Sequence, residues 1–191
     1  MIREPGEVVS ESGAGSRATR EPSNRPTVWV ISRTVGAISE VWIIRQVQRF
    51  VRSRPTLVYW ERFNDGWHRL DDMSAVQVPY PSRPYTGNGR WRSRARFLLS
   101  RNFYAAQGEE ARFLKGLARK NPPQVMLAHF GSMGLRVLPV ARGLGIPLVV
   151  HFHGHDLSST LIGNRWYRWS LRAQLQGFAA AVVVGSHQRD L

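Results

Sequence analysis

The segment of residues 147–156, PLVVHFHGHD, constrains the fold more than any other part of the chain. Its apolar run at residues 148–150 is short and continuous, which is typical of a strand buried on both faces of a parallel sheet. Three histidines, a glycine and an aspartate follow that run almost at once. Ligands of open α/β sheets bind outside the carboxyl ends of the strands. We therefore predict that residues 151–156 form one wall of a substrate site.

Strand and helix patterns alternate along the rest of the chain. Short apolar runs predict strands at residues 27–31, 56–60, 75–78, 125–128, 148–150 and 179–184. Apolar stripes with helical spacing predict helices from Ser39 to about Pro55 and at residues 90–104, 107–120, 132–144 and 164–176, with a last one beginning at Ser186. Gly145 is expected to be a left-handed cap. This order predicts an α/β fold with a doubly wound, Rossmann-like parallel sheet. In the strand order 3-2-1-4-5-6, the loops after strands one and four flank the crevice where the winding reverses.

Composition limits the compartment and the partners. The formal net charge is +14, and Lys115 and Lys120 are the only lysines, so arginine carries nearly all of the positive charge. Such a charge favours anionic partners. The chain has no cysteine, and no apolar run approaches the ~18 residues of a membrane-spanning helix. Residues 1–26 have the composition of a disordered leader and lack the apolar core of a signal peptide. We expect a cytoplasmic protein, peripheral on the inner face of the membrane.

Three polar clusters follow predicted strands, at residues 36–40, 129–134 and 151–156. Gly36 and the helix start at Ser39 resemble a phosphate cradle, because glycine lets backbone N–H groups approach an anion. An ordinary strand-to-helix turn explains them equally well, since neither a GxGxxG nor a P-loop pattern is present. His129 taken alone is more typical of a hydrogen-bonded histidine at a strand end. Gly154 is expected to interrupt the strand, so that His153 or His155 turns into the crevice.

Arginines alternate with aromatic residues in two predicted helices, at residues 90–104 and around Trp166, Tyr167 and Trp169. Such a face is typical of a helix that lies on anionic lipid, or of the solvated surface of an arginine-rich protein. Aromatic residues beside arginines can also stack nucleobases, but no RNA- or DNA-binding motif accompanies them. We therefore expect an anionic membrane surface as a partner and no nucleic acid.

Four segments together resemble a known family: residues 38–46 (ISEVWIIRQ), 128–135 (AHFGSMGL), 147–156 and 181–190 (AVVVGSHQRD). The set is similar to the N-terminal half of family 4 glycosyltransferases with the GT-B fold, especially those of exopolysaccharide and colanic-acid assembly. The resemblance implies retaining, metal-independent transfer of a hexosyl group from a nucleotide-sugar donor to a glycan or lipid-linked acceptor. The nucleotide-sugar is a co-substrate, and no cofactor is implied.

The resemblance also assigns roles to individual residues. His153 matches the catalytic histidine that reaches the donor sugar, and Gly36, with Ser39 beside it, matches the donor-diphosphate loop. The residues expected on the acceptor side are His129, Gly131, His155 and Asp156. The family's second domain, which grips most of the donor, has no counterpart in residues 27–191. We therefore expect the isolated chain to be inactive.

Two other classes of function remain open at the level of sequence. The run from His151 to Asp156 is close to the HxHxDH ligand run of zinc-dependent metallohydrolases, with its last two residues inverted. The second alternative is a basic binding module without enzymatic activity, whose positive face holds a polyanion.

Overall fold

The structure is a computed structural model that describes residues 25–37, 41–63, 70, 73–80 and 99–185. Several sequence predictions lie outside these residues: residues 1–24 of the leader, Ser39, most of the helix at residues 90–104 and the helix beginning at Ser186. The domain boundary predicted at residues 26 and 27 stays a prediction.

The described residues form one sheet of six parallel strands in the order β3-β2-β1-β4-β5-β6. The strands are β1 (Thr27–Val35), β2 (Arg54–Arg62), β3 (Ala75–Gln77), β4 (Val125–His129), β5 (Leu148–Phe152) and β6 (Ala180–Val183). The predicted fold class and strand order are confirmed. The winding reverses between β1 and β4, so a crevice at that point lies outside the carboxyl ends of both strands.

The first strand is longer than its sequence predicts. The apolar run ends at Ile31, but β1 continues to Val35, which pairs with Arg62 of β2. The strand predicted at residues 27–31 is therefore four residues too short, because ladder hydrogen bonds to a neighbouring strand outweigh the polar side chains in this stretch.

The described helices are α1 (Val41–Gln48), α2 (Gly108–Lys120), α3 (Gly131–Leu144), α4 (Gly154–Leu157), α5 (Ser159–Gly163) and α6 (Arg165–Gln174). A 3₁₀ turn, Leu175–Gly177, extends α6. Gly145 has φ 67° and caps α3 in the left-handed conformation, as predicted.

The helix predicted at residues 90–104 does not reach its predicted end. Arg101 has φ 50°, and the Asn102 side chain accepts from the Tyr104 N–H, so the chain turns there.

The two faces of the sheet carry different helices. Alternate strand residues such as Ile31, Ala128 and Val150 pack on one face with α2, α3 and α6. Val30 and Leu57 point to the other face and pack with α1. His129, His151 and His153 follow the alternation onto the α1 face. Among the described residues, no helix is both long enough and apolar enough to cross a membrane.

Candidate functional site

The candidate site lies at the carboxyl edge of the sheet, where β4 and β5 end. His129 is the last residue of β4 and is the register partner of His151 in β5. Partners in adjacent parallel strands project to the same face, and so do residues two apart in one strand. The two strands therefore bring His129, His151 and His153 together, although His151 and His153 come 22 and 24 positions after His129 in the sequence.

The three imidazoles form a compact cluster, here called the histidine cluster. Ring centroids lie 5.4 Å apart between His129 and His151, 5.7 Å between His129 and His153, and 4.4 Å between His151 and His153. Trp42 of α1 covers the cluster, with its ring 4.9 Å from His129 and 4.6 Å from His153. The Phe130 ring lies 4.6 Å from His153. The walls of this site are therefore aromatic on two sides.

Burial makes the cluster electrostatically unusual. His129 is 0% exposed, and neither of its ring nitrogens has a hydrogen-bond partner among the described residues. Nε2 of the half-buried His153 is likewise unpartnered within that set. Burial, reinforced by His151 and His153, lowers the pKa of His129 to about 3. Burial, with a contribution from His151, lowers the pKa of His153 to about 4, and burial also lowers the pKa of His151. All three rings are neutral at pH 7.

Behind the cluster, Asp156 ties the two strand ends together. Its Oδ2 accepts from the Gly131 N–H at 3.3 Å and from the His153 N–H at 3.1 Å. Asp156 is 4% exposed, and burial raises the pKa of its carboxyl although both backbone hydrogen bonds oppose that rise. A Cβ on Gly131 would collide with the Tyr167 hydroxyl and lie 2.6 Å from the Phe152 ring. Gly131 and Asp156 therefore hold the backbone of the site in place.

His155 does not join the cluster. Its ring is exposed, and Nδ1 lies 2.9 Å from Thr160 Oγ1. The HxHxHD run therefore does not converge as a unit on one point. Two of its histidines meet His129 of another strand, and its aspartate binds backbone amides. This differs from the ligand arrangement that the metallohydrolase alternative requires.

Gly36 ends the extension of β1 at the same edge of the sheet. It has φ 87°, a left-handed conformation that favours glycine, and it is buried. Gly36 is five residues beyond Ile31, the register partner of Ala128, whereas His129 is one residue beyond Ala128. Gly36 thus lies further along the strand direction than His129, and Trp42 of α1 contacts the histidines. Ser39 lies outside the described residues.

Two residues of the site, His151 of the cluster and Trp42 above it, are not among the predicted site residues. His151 was predicted only as the start of a site wall, although its spacing of two from His153 places both on one face. Trp42 had no signal of this kind, because a tryptophan at helical spacing is more often a core residue. Only the packing of α1 against the end of β4 reveals its contact with the histidines.

Comparison with known proteins assigns the family. The sequence profile of Glycosyltransferase Family 4 matches residues 75–191, which is more than half of the chain. The chain belongs to Glycosyltransferase Family 4. No protein with a curated description matches the sequence.

Two solved structures are similar in their backbones. A structure of Phytolacca americana UGT2 complexed with UDP-2fluoro-glucose and pterostilbene has a TM-score of 0.40 and 15% identity, with 68% of this chain and 30% of that chain covered. Acinetobacter baumannii MurG has a TM-score of 0.47 and 12% identity, with 84% of this chain and 42% of that chain covered. The chain thus spans less than half the length of either protein.

Proposed function

We propose that this chain is the N-terminal, acceptor-side domain of a retaining glycosyltransferase. The enzyme would transfer a hexosyl group from a nucleotide-sugar to a glycan or lipid-linked acceptor, with no metal ion in the reaction, during assembly of an extracellular polysaccharide. The observation that carries this proposal is the position of the histidine cluster in a chain of this family. It lies at the carboxyl ends of β4 and β5, beside the reversal of the winding.

The proposed role of His153 is to bind the donor sugar at the reaction centre. A neutral imidazole has one donor and one acceptor nitrogen, so it can hydrogen-bond a sugar hydroxyl in either sense. Nε2 of His153 has no partner among the described residues, and the aromatic rings of Trp42 and Phe130 border it. A sugar hydroxyl can satisfy that nitrogen without displacing a protein hydrogen bond.

The other predicted site residues divide into two groups in this proposal. Gly36 and Ser39 belong to the loop that approaches the donor diphosphate, where glycine allows backbone N–H groups to face an anion. His129, Gly131, His155 and Asp156 line or position the acceptor side. The Asp156 carboxylate accepts from the backbone N–H groups of both Gly131 and His153, so Gly131 and Asp156 act by fixing the strand ends.

Most of the stabilisation of the leaving diphosphate would come from a second domain. Fixed cations and helix N-termini can stabilise such a leaving group without a metal ion, provided that they are oriented before the reaction. This chain alone would hold one side of the cleft. We therefore expect weak donor binding and no turnover from the 191 residues.

An activity comparison tests the proposal. The 191-residue chain and a longer form with a second Rossmann-like domain are incubated with a panel of nucleotide-sugars and with membrane lipid and glycan acceptors. Sugar transfer is expected only from the longer form, with retained anomeric configuration and in the presence of a chelator.

In that form, His153→Ala should lower kcat at least about a hundredfold, in the range of a lost transition-state contact. The exposed-surface variant Arg119→Gln should retain full activity. Robust transfer by the 191 residues alone, or full activity of His153→Ala, would refute the proposal.

We also propose that α6 forms part of a face that rests on the anionic inner surface of the membrane. Trp169 is 61% exposed, and with Trp166 it borders an open groove of about 420 Å³ that Arg165, Arg168 and Arg172 also line. The Arg165 guanidinium lies 4.6 Å from the Trp166 ring centroid. Exposed tryptophans beside arginines suit the boundary between lipid headgroups and acyl chains. A lipid-linked acceptor would be held close to such a face.

A further inference from the structure

The histidine cluster has a property that sugar binding does not require. One donor nitrogen each of His129, His151 and His153 lies within 4.8 Å of the other two. A fully buried ring with two unpartnered nitrogens is costly, because each unsatisfied polar group loses its hydration without replacement. His129 has this cost in the structure as described. A metal ion that accepts an electron pair from one nitrogen of each ring would satisfy one of the two His129 nitrogens and so lower that cost.

We propose that His129, His151 and His153 bind a divalent transition-metal ion, with zinc as the leading candidate. The proposal is independent of the transferase function. Three imidazoles from two adjacent strands are a ligand set that zinc accepts, with its fourth position left to water or another small ligand. Since all three ligands are nitrogens, the site should favour zinc, cobalt, nickel or copper and reject magnesium and calcium, which prefer oxygen.

The geometry requires only a small closure of the rings. Zinc–nitrogen bonds of about 2.0–2.1 Å in a tetrahedral arrangement place ligand nitrogens roughly 3.4 Å apart. Because the three ligand nitrogens lie within 4.8 Å of one another, none of their separations must shorten by more than about 1.4 Å, which side-chain rotation can supply without a change in strand register. His151 and His153 are half-buried, so they can rotate toward the fixed, buried His129.

The surroundings suit a bound metal. Trp42 and Phe130 border the rings and would limit access of water. The hydrogen bonds of Asp156 to the backbone N–H groups of Gly131 and His153 fix the loops that carry the ligands. A metal held here would occupy His153 and so compete with a donor sugar rather than assist the transfer; that consequence alone rests on the proposed function.

Cobalt binding tests the proposal directly. The untagged 191-residue chain is freed of metal with a chelator and titrated with Co²⁺, which gives strong visible absorption when it is four-coordinate. We expect one equivalent to bind, Zn²⁺ to displace it, and Mg²⁺ and Ca²⁺ to have no effect. His151→Gln and His129→Gln should each weaken binding at least about tenfold, since even the outer partners of metal ligands contribute that much. The matched control is His155→Gln, in the same run but outside the cluster, and it should bind as the wild type does.

A second measurement separates loss of a ligand from loss of the fold. Saturating Zn²⁺ should raise the Tm of the wild type and of His155→Gln, since a ligand that binds only the folded state stabilises it. It should not raise the Tm of either cluster variant, and circular dichroism should show both to be folded. Absence of stoichiometric binding would overturn the proposal. Equal binding by His151→Gln and the wild type would also overturn it, because it would indicate an adventitious surface ion only.

Discussion

At the scale of single residues, His129 carries two ring nitrogens that can hydrogen-bond, and neither does so with the described residues. Its side chain is fully buried, and its two ring nitrogens lack partners among the described residues. Replacing such a group by an apolar one of similar volume removes the desolvation cost and keeps the packing. We therefore predict that His129→Leu stabilises the metal-free protein by about 1 kcal/mol, measured by urea denaturation in the presence of a chelator.

The exposed His155 supplies the control for this change. His155→Leu should alter the free energy of unfolding by less than about 0.5 kcal/mol, as surface substitutions usually do. For His129→Leu, the sign of the change in the free energy of unfolding decides between the two cases. A loss of stability in the metal-free His129→Leu variant would mean that the ring nitrogens have partners that offset their burial. Added zinc should reverse the order of stabilities, because only the wild type can bind it.

Gly131 is a residue where even one methyl group is too large. A Cβ there would overlap the Tyr167 hydroxyl and crowd the Phe152 ring. Overpacking of this kind usually costs 1–3 kcal/mol, so we predict that Gly131→Ala lowers the free energy of unfolding by about 2 kcal/mol. Tyr167→Phe removes the hydroxyl and should recover part of that loss in a double-mutant cycle.

For a second glycine, Gly116, we expect substitution by alanine to raise stability rather than lower it. A Cβ on Gly116 in α2 would meet no atom within 4 Å. Because alanine is the better helix former, Gly116→Ala should stabilise the protein by about 0.5–1 kcal/mol. Equal effects of the two substitutions would show that the close contact at Gly131 relaxes without cost.

At the scale of secondary-structure elements, one buried network joins two helices to the sheet. Oε1 of Glu110 in α2 accepts from Nε of Arg136 in α3 at 2.6 Å and from the indole N–H of Trp60 in β2 at 2.7 Å. The Arg136 guanidinium also lies 5.5 Å from the Trp60 ring centroid. Arg136 and Glu110 are 2% and 0% exposed, so neither charge has water to replace its partner.

Removing one charge of this network should be costly. We predict that Glu110→Gln lowers the free energy of unfolding by about 3 kcal/mol, because it removes the carboxylate charge that pairs with the buried guanidinium of Arg136. Glu109 is its control: it precedes Glu110, its pair with Arg112 is exposed, and Glu109→Gln should change stability by less than about 0.5 kcal/mol. Urea denaturation measures both. A small loss for Glu110→Gln would show that the buried guanidinium of Arg136 does not depend on this carboxylate.

The elements differ in how far sequence alone can predict them. Alternating apolar runs and helical stripes predict a parallel α/β sheet, and right-handed crossovers make the doubly wound strand order an expected one, but periodicity alone does not determine that order. The extension of β1 past Ile31 could not be predicted, since Ser32, Arg33 and Thr34 do not alternate with apolar residues and the strand is held there by β2. Likewise, the turn at Arg101 depends on the hydrogen bonds of Asn102, one of which reaches the Leu135 carbonyl in α3.

The site is predictable only in part for the same reason. Histidines after an apolar run indicate the carboxyl end of a strand, and that places His153 and His129 at one edge of the sheet. Register cannot be obtained from spacing, so the pairing of His129 with His151 emerges only from the fold. The exclusion of His155 depends on α4, which begins at Gly154 and turns the next residue toward solvent.

At the scale of the whole molecule, the net charge of +14 predicts attraction to any polyanion. Salt-sensitive binding to anionic vesicles is therefore expected whether or not α6 faces the membrane. Binding by net charge alone and binding through α6 differ in whether apolar side chains enter the lipid. Insertion of exposed tryptophans would leave a component of binding that persists at high salt, because burial of apolar area is not screened.

We predict that Trp169→Ala lowers binding to phosphatidylglycerol vesicles at high salt about tenfold, which corresponds to the loss of one partly buried aromatic side chain. Phe63→Ala is the matched control, since Phe63 is an aromatic residue 49% exposed just after the end of β2 and should contribute nothing. Arg168→Gln should instead weaken binding at low salt only. Vesicle sedimentation over a range of salt concentrations measures all three variants. Unchanged high-salt binding by Trp169→Ala would assign the attraction to net charge alone and remove α6 from the membrane-facing surface.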